Sequence, residues 1–113
     1  MTATLRQYGR TVRSYGGDHP IAVAIAERRP FRAGAMRGEV GGPWSFGRLP
    51  EPWLSRLDDA DRENRVTFVI YSYATPIAWW VSRSDPWLVI PDEHYSSTTT
   101  RHQGYARAAL PQS

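Results

Sequence analysis

Apolar positions along this 113-residue chain cluster most densely in its C-terminal half, and the way they are spaced predicts most of the elements. Residues 66–73, Val-Thr-Phe-Val-Ile-Tyr-Ser-Tyr, are rich in β-branched and aromatic side chains and read as a central strand. Thr75-Pro76 is expected to break that strand, and Ile-Ala-Trp-Trp-Val (77–81) to resume it. A turn over 82–86 then brings residues 87–91, Trp-Leu-Val-Ile-Pro, back as the hairpin partner. Beyond a polar stretch the chain predicts a terminal helix reaching Leu110, packed on the sheet through Ala106, Ala109 and Leu110.

The N-terminal half is less regular. Asp18 as N-cap, Pro20 in the first turn and Glu27-Arg28-Arg29 at the far end frame a helix with Ile21, Ala24 and Ile25 on one face. Its Ile-Ala-Val-Ala-Ile-Ala core also fits a strand of period two; the alanines favour the helix, and Arg29-Pro30 ends it in either case. Residues 31–48 carry five glycines and suit two short strands joined through Gly41-Gly42-Pro43, with Trp44 and Phe46 on one face as core. A short helix over 49–57 would dock Trp53, Leu54 and Leu57 on the sheet and close at the polar run 58–64, a solvated connector. That run carries Asp58, Asp59, Asp61 and Glu63 but lacks the glycine and terminal glutamate of a calcium loop. Residues 1–17 read as a flexible or edge-strand basic arm. Residues 18–113 read as one α+β domain: a small, mainly antiparallel sheet flanked by two or three short helices, the last packed on the sheet.

Composition narrows the chemistry. All fourteen cations are arginines, and there is no lysine and no cysteine. Schiff-base chemistry, a phosphate-loop lysine, disulfides, a thiolate nucleophile and cysteine-ligated zinc are therefore excluded. Genomic base composition accounts for much of the arginine bias, yet every cation is still a planar, permanently charged fork. The net charge of +3 is unevenly placed, with eight arginines against three acids in residues 1–50 and six against eight in 51–113. The glycine-rich stretch is no phosphate loop, because it has neither the GxGxxG nor the GxxxxGK spacing. The first ten residues hold no apolar core of signal-peptide length and the longest apolar run, 21–26, is far short of a bilayer span, so a cytoplasmic protein without membrane contact is expected.

Three segments occur in a recurring order: Gly-Arg-Leu-Pro (47–50), Tyr-Ser-Tyr-Ala-Thr-Pro-Ile-Ala-Trp-Trp (71–80) and Trp-Leu-Val-Ile-Pro-Asp-Glu-His-Tyr-Ser-Ser-Thr-Thr-Thr-Arg-His-Gln (87–103). This succession resembles a small family of uncharacterised domains in actinobacterial and bacteriophage proteins. The resemblance spans a unit over 47–110. It implies a fold unit and a genomic setting but no reaction, and it places a polar signature on Tyr71, Ser72, Thr75, Pro76, Asp92, Tyr95, Ser96, Thr98, Thr99, Arg101, His102 and Gln103. Where the family has a polar residue after Trp79, this chain has Trp80, either a contact ring or the filler of a core gap.

Two sets of residues could meet a polyanion. Arg6, Arg10 and Arg13 alternate with Tyr8 and Tyr15, so that cations can follow phosphates while rings stack on bases. At the start of the last helix Thr98, Thr99, Arg101, His102 and Gln103 would offer hydroxyls, backbone N–H groups and a guanidinium to an anion, or the same hydroxyls simply cap the helix. Thr99 as the cap would be worth about 1 kcal/mol. Tyr71, Trp80 and Tyr95 are candidate contact rings for a partner, and Trp79, Trp80 and Trp87 on neighbouring strands allow a homodimer. A hydrolase triad drawn from Ser72 or Thr99, His94 or His102, and Asp92 has no nucleophile elbow, and Asp92, His94 and His102 lack the spacing of a metal site. The expectation is a cofactor-free and metal-free binding module of phage or mobile-element type, contacting nucleic acid through arginines. A host protein is the second candidate partner, and a small hydrolase or nuclease using His102 is the third reading.

Overall fold

The computed structural model of the chain describes residues 7–8, 20–92 and 97–109; the side chains of 7, 8, 97 and 98 are outside that description. Among these residues are nine elements: β1 (Gln7–Tyr8), α1 (Pro20–Ala26), β2 (Phe31–Ala33), β3 (Met36–Val40), α2 (Trp53–Arg62), β4 (Val66–Ser72), β5 (Thr75–Val81), β6 (Trp87–Val89) and α3 (Ser97–Ala108). One sheet runs in the order β1-β6-β5-β4-β3-β2. Every pairing from β2 to β6 is antiparallel, and β1 joins the outer edge of β6 in parallel, Gln7 opposite Leu88. This is the expected α+β domain, with α3 packed on the sheet.

The sheet is covered on both faces, which explains why β4 and β5 read as nearly continuous apolar runs rather than alternating ones. Phe68, Ile70, Ala78, Trp80, Leu88 and Ile90 pack on one face with Ile25 of α1, Ala106 of α3 and Ala109 just after it. Val69, Tyr71, Trp79, Val81 and Val89 pack on the other with Leu49 and with Trp53, Leu57 and Ala60 of α2. Leu110, expected to complete the α3 contact, lies outside the described residues, as does Asp18, the expected cap of α1.

Several local expectations are corrected. The turn between β2 and β3 is the two-residue loop Gly34-Ala35, not Gly41-Gly42-Pro43; Gly34 takes φ +60°, the sign such a tight hairpin loop requires. Gly41 to Pro43 instead lead the chain off the sheet. Trp44 is not core but 53% exposed, whereas Phe46 is partly buried against the α2-side core. Helix α2 does not close before the acidic run but passes through it to Arg62. Ala60 keeps its apolar face going, and Arg62 holds Asp58 one turn back at 2.9 Å. Thr75-Pro76 opens β5 rather than interrupting a strand, because β4 turns back at Tyr73-Ala74 and Ser72 pairs with Thr75.

The loop before α2 is pinned to that β4–β5 turn. Ser45 Oγ donates to the Ala74 carbonyl at 3.0 Å, and Arg48 N–H donates to Thr75 Oγ1 at 3.0 Å. Gly47 sits between them at φ +51°, where a Cβ would come within 2.6 Å of Thr75 Cα and also strike the Ala74 carbonyl oxygen. The Gly-Arg-Leu-Pro and Ala-Thr-Pro segments are thus two halves of one joint. Gly47→Ala is expected to destabilise the fold by about 1–3 kcal/mol, since the obstacle is backbone that cannot rotate away. An unchanged thermal midpoint in the variant would contradict this account of the joint.

Candidate functional site

The polar signature around the last helix resolves into side chains that face inward. Thr99 and His102, three residues apart on α3, share a face. Both reach Ser72, the last residue of β4: Ser72 Oγ lies 3.1 Å from Thr99 Oγ1 and 2.8 Å from His102 Nδ1. Gln103 is fully buried, and its Nε2 donates to the carbonyls of Ile77 and Pro91 at 3.2 and 3.1 Å, tying α3 to both β5 and the end of β6. Of the described α3 side chains in this signature, only Arg101 is exposed. The side chain of Thr98 is not among those described, and Tyr95, Arg6, Arg10 and Arg13 lie outside the described residues altogether.

This geometry redistributes the roles expected of α3. Thr99 is not an N-cap; it sits inside the first turn, 7% exposed, with its hydroxyl on Ser72. Gln103 is committed to backbone carbonyls and turned away from solvent, so it is removed from the anion site. Ser72 and His102 stand at the distance of a nucleophile and its base, but Ser72 is 2% exposed and held between two partners. An enclosed hydroxyl in that position joins a helix to a strand. Burial, and after it the neighbouring Arg101 guanidinium, lowers the pKa of His102 from its usual 6.5.

The rings nominated as partner contacts are corrected as well. Trp80 is fully buried: its Nε1 donates to the Ile25 carbonyl at 2.9 Å and the Arg28 guanidinium lies 4.7 Å from its ring centre. The second indole therefore fills the core between the sheet and α1. Tyr71 is also fully buried, on the opposite face, where its phenol oxygen accepts the Trp44 N–H at 3.0 Å. Burial is the main reason its pKa is pushed up to about 12, with the Trp44 amide and Arg37 acting in the opposite sense, so the phenol stays neutral.

What reaches solvent is a corner that sequence reasoning missed. Arg32 of β2 and Arg37 of β3 are directly opposite across the hairpin, a like-charge pair that is unfavourable unless something anionic lies near. Arg37 reaches Glu39 at 3.3 Å, whereas exposed Arg32 has no carboxylate partner among the described residues. Arg37 also lies 5.6 Å from the centre of the Trp44 ring, which stacks on Tyr71 with centroids 4.8 Å apart. Tyr73, 63% exposed, and Arg48 stand at the same end, because Tyr73 N–H donates to the Ala35 carbonyl and the 45–48 loop is held on Ala74 and Thr75. Placing the turn at Gly34 would have disclosed the Arg32–Arg37 pairing from sequence. Elsewhere on the same sheet face a groove of about 790 Å³ runs between α2 and strands β5 and β6, lined by Trp53, Trp79 and Trp87 together with Arg56, Arg62 and Arg65. Among the described residues no group of three or more His, Asp or Glu could hold a metal ion, and no helix is long and apolar enough to cross a membrane.

The chain is a small α+β domain in which Ser72, Thr99 and Gln103 build part of the interior. It belongs to a family of unknown function, DUF8033, whose model matches residues 6–107. No curated protein and no solved structure matches it.

Two outcomes follow from the Ser72 junction. Ser72→Ala removes the hydroxyl that Thr99 and His102 share and is expected to cost about 1–3 kcal/mol in urea unfolding, whereas exposed Arg101→Ala should stay within about 0.5 kcal/mol. Equal effects would place the Ser72 bonds outside the stabilising set. The lowered pKa of His102 means that, below its ordinary value of 6.5, the unfolded chain binds a proton that the folded one refuses. Stability is therefore expected to be retained above that value and lost as pH falls through it toward the lower folded pKa. The pH slope of the urea midpoint should be shallower in His102→Gln than in the parent chain; identical slopes in the two would rule out this residue as the source.

Proposed function

We propose that this domain is a non-enzymatic binding module that contacts nucleic acid through arginines, in the cytoplasm of a bacterial host and of phage or mobile-element type. The setting rests on the sequence resemblance to actinobacterial and bacteriophage domains. The observation that carries the contact is the exposed corner itself: Arg32 opposite Arg37, with Arg48 close by and two exposed rings, Trp44 and Tyr73, among them. Guanidinium forks suit phosphate oxygens, and flat exposed rings suit base faces. The arginines of the N-terminal arm, Arg6, Arg10 and Arg13, would be a separate contact, since β1 within that arm forms the sheet edge opposite β2.

The three indoles of the α2 groove favour one second reading, a host protein that inserts an apolar side chain there. The two readings differ in salt response. Binding of labelled oligonucleotides is expected to weaken steeply between about 50 and about 200 mM salt, and Arg32→Ala or Arg37→Ala should each flatten the logarithmic slope by about 0.7–0.9. Binding that ignores both salt and these two substitutions would remove nucleic acid as the partner.

A further inference from the structure

Resting on that nucleic-acid reading, we propose that the ligand is a single-stranded polynucleotide, with one unpaired base stacked on the outer face of Trp44 and its neighbouring phosphate held by Arg32 and Arg37. Arg37 and Tyr71 are partners across β3 and β4, so their side chains stand side by side on one face of the sheet. The Trp44 indole lies against both, 30° from the plane of Tyr71 and within 5.6 Å of the Arg37 guanidinium. These contacts cover one side of the indole. The residue nevertheless remains 53% exposed, so its other side is turned to solvent.

The ring is also held in place before any ligand arrives. The Trp44 backbone N–H is bonded to the Tyr71 phenol oxygen, the next residue, Ser45, is bonded through its hydroxyl to the Ala74 carbonyl, and the ring itself lies against Tyr71 and Arg37. Little side-chain freedom is left to lose when a flat ligand settles on it. A base inside a duplex already has neighbours on both faces and cannot offer either one to a protein ring, whereas a base in a single strand can. Arg37 serves two groups at once, since a guanidinium can lie against the indole while its edge N–H groups meet a phosphate oxygen. Arg32, opposite it and without a carboxylate partner among the described residues, is the second arm of that clamp. Tyr73, still more exposed at the same corner, offers a second ring for an adjacent base.

The test uses the full chain with oligo-dT, oligo-rU and a hairpin duplex, each of roughly 20 nucleotides so that a site of about 4–16 nucleotides is accommodated. Fluorescence anisotropy should give tighter binding to both single strands than to the duplex. Trp44→Ala should weaken single-strand binding roughly 5- to 150-fold while leaving duplex binding and the salt slope in place, as expected for one stacked base. Trp44→Phe should restore much of the loss. Trp44→Leu, which keeps an apolar cover over Tyr71 but has no flat ring, should not. Duplex binding as tight as single-strand binding, still dependent on Arg32 and Arg37, would overturn this inference and leave the broader reading standing. Absence of binding to all three probes at low salt would overturn both.

Discussion

Two consecutive residues at the end of β4 hold the two layers of this protein to the sheet. Tyr71 and Ser72 point to opposite faces, as neighbours in a strand must. Tyr71 supports the Trp44 stack and the loop that leads into α2. Ser72 receives Thr99 and His102 and so positions α3. A slip of one residue in the register of β4 would exchange the two and dismantle both sides together. The exposed corner therefore exists only because the buried junction behind it is in register, and the irregularity between Ile70 and Tyr71 sits where that register is set.

The same junction shows why a cluster of Ser, Thr, His and Gln need not be a reaction centre. Ser72 and Gln103 lie among apolar neighbours, where each unpaired polar group would carry a desolvation penalty. Gln103 donates both amide hydrogens to main-chain carbonyls, that of Ile77 in β5 and that of Pro91 just after β6. His102 has its lowered pKa for the same reason, since a proton on it would face a partly dry interface and the Arg101 charge together. Polar residues at such a joint fix where a helix lies more strictly than apolar packing alone, because hydrogen bonds are directional.

The central strands were legible because β4 and β5 are buried on both faces, which leaves a dense, uninterrupted apolar run in the sequence. The α3 helix was legible for its alanines. The N-terminal half was harder. Its five glycines between residues 31 and 48 offer several turns of similar quality, and only strand pairing selects Gly34-Ala35. With the turn misplaced, Trp44 falls by alternation onto a core face, although it is actually off the sheet and lying over Tyr71. Nor does periodicity carry through the acidic run of α2, where a single alanine, Ala60, supplies the apolar contact that continues the helix. Trp80 was ambiguous for a different reason: the groups that receive it, the Ile25 carbonyl and the Arg28 guanidinium, come from some fifty residues earlier in the chain.

Among the described residues three arginines lie over indoles, and comparing them separates structural contacts from an accessible one. Arg28 lies over Trp80 and Arg56 over Trp53, rings that are 0% and 6% exposed. There the guanidinium closes over a ring packed into the core and gives it a polar outer cover. Arg37 differs because it approaches Trp44 from the sheet side, beneath a ring that is 53% exposed. The charge is beside an aromatic face that nothing in the described chain covers. Net charge could not have distinguished these cases, since all three arginines count equally toward +3. The distinction comes from which side of the indole the cation occupies, and that is decided by β3 pairing with β4 so that Arg37 stands next to Tyr71. A lysine at position 37 would keep the charge but lose the flat surface that lets one side chain lie against an indole and still present its edge to an anion.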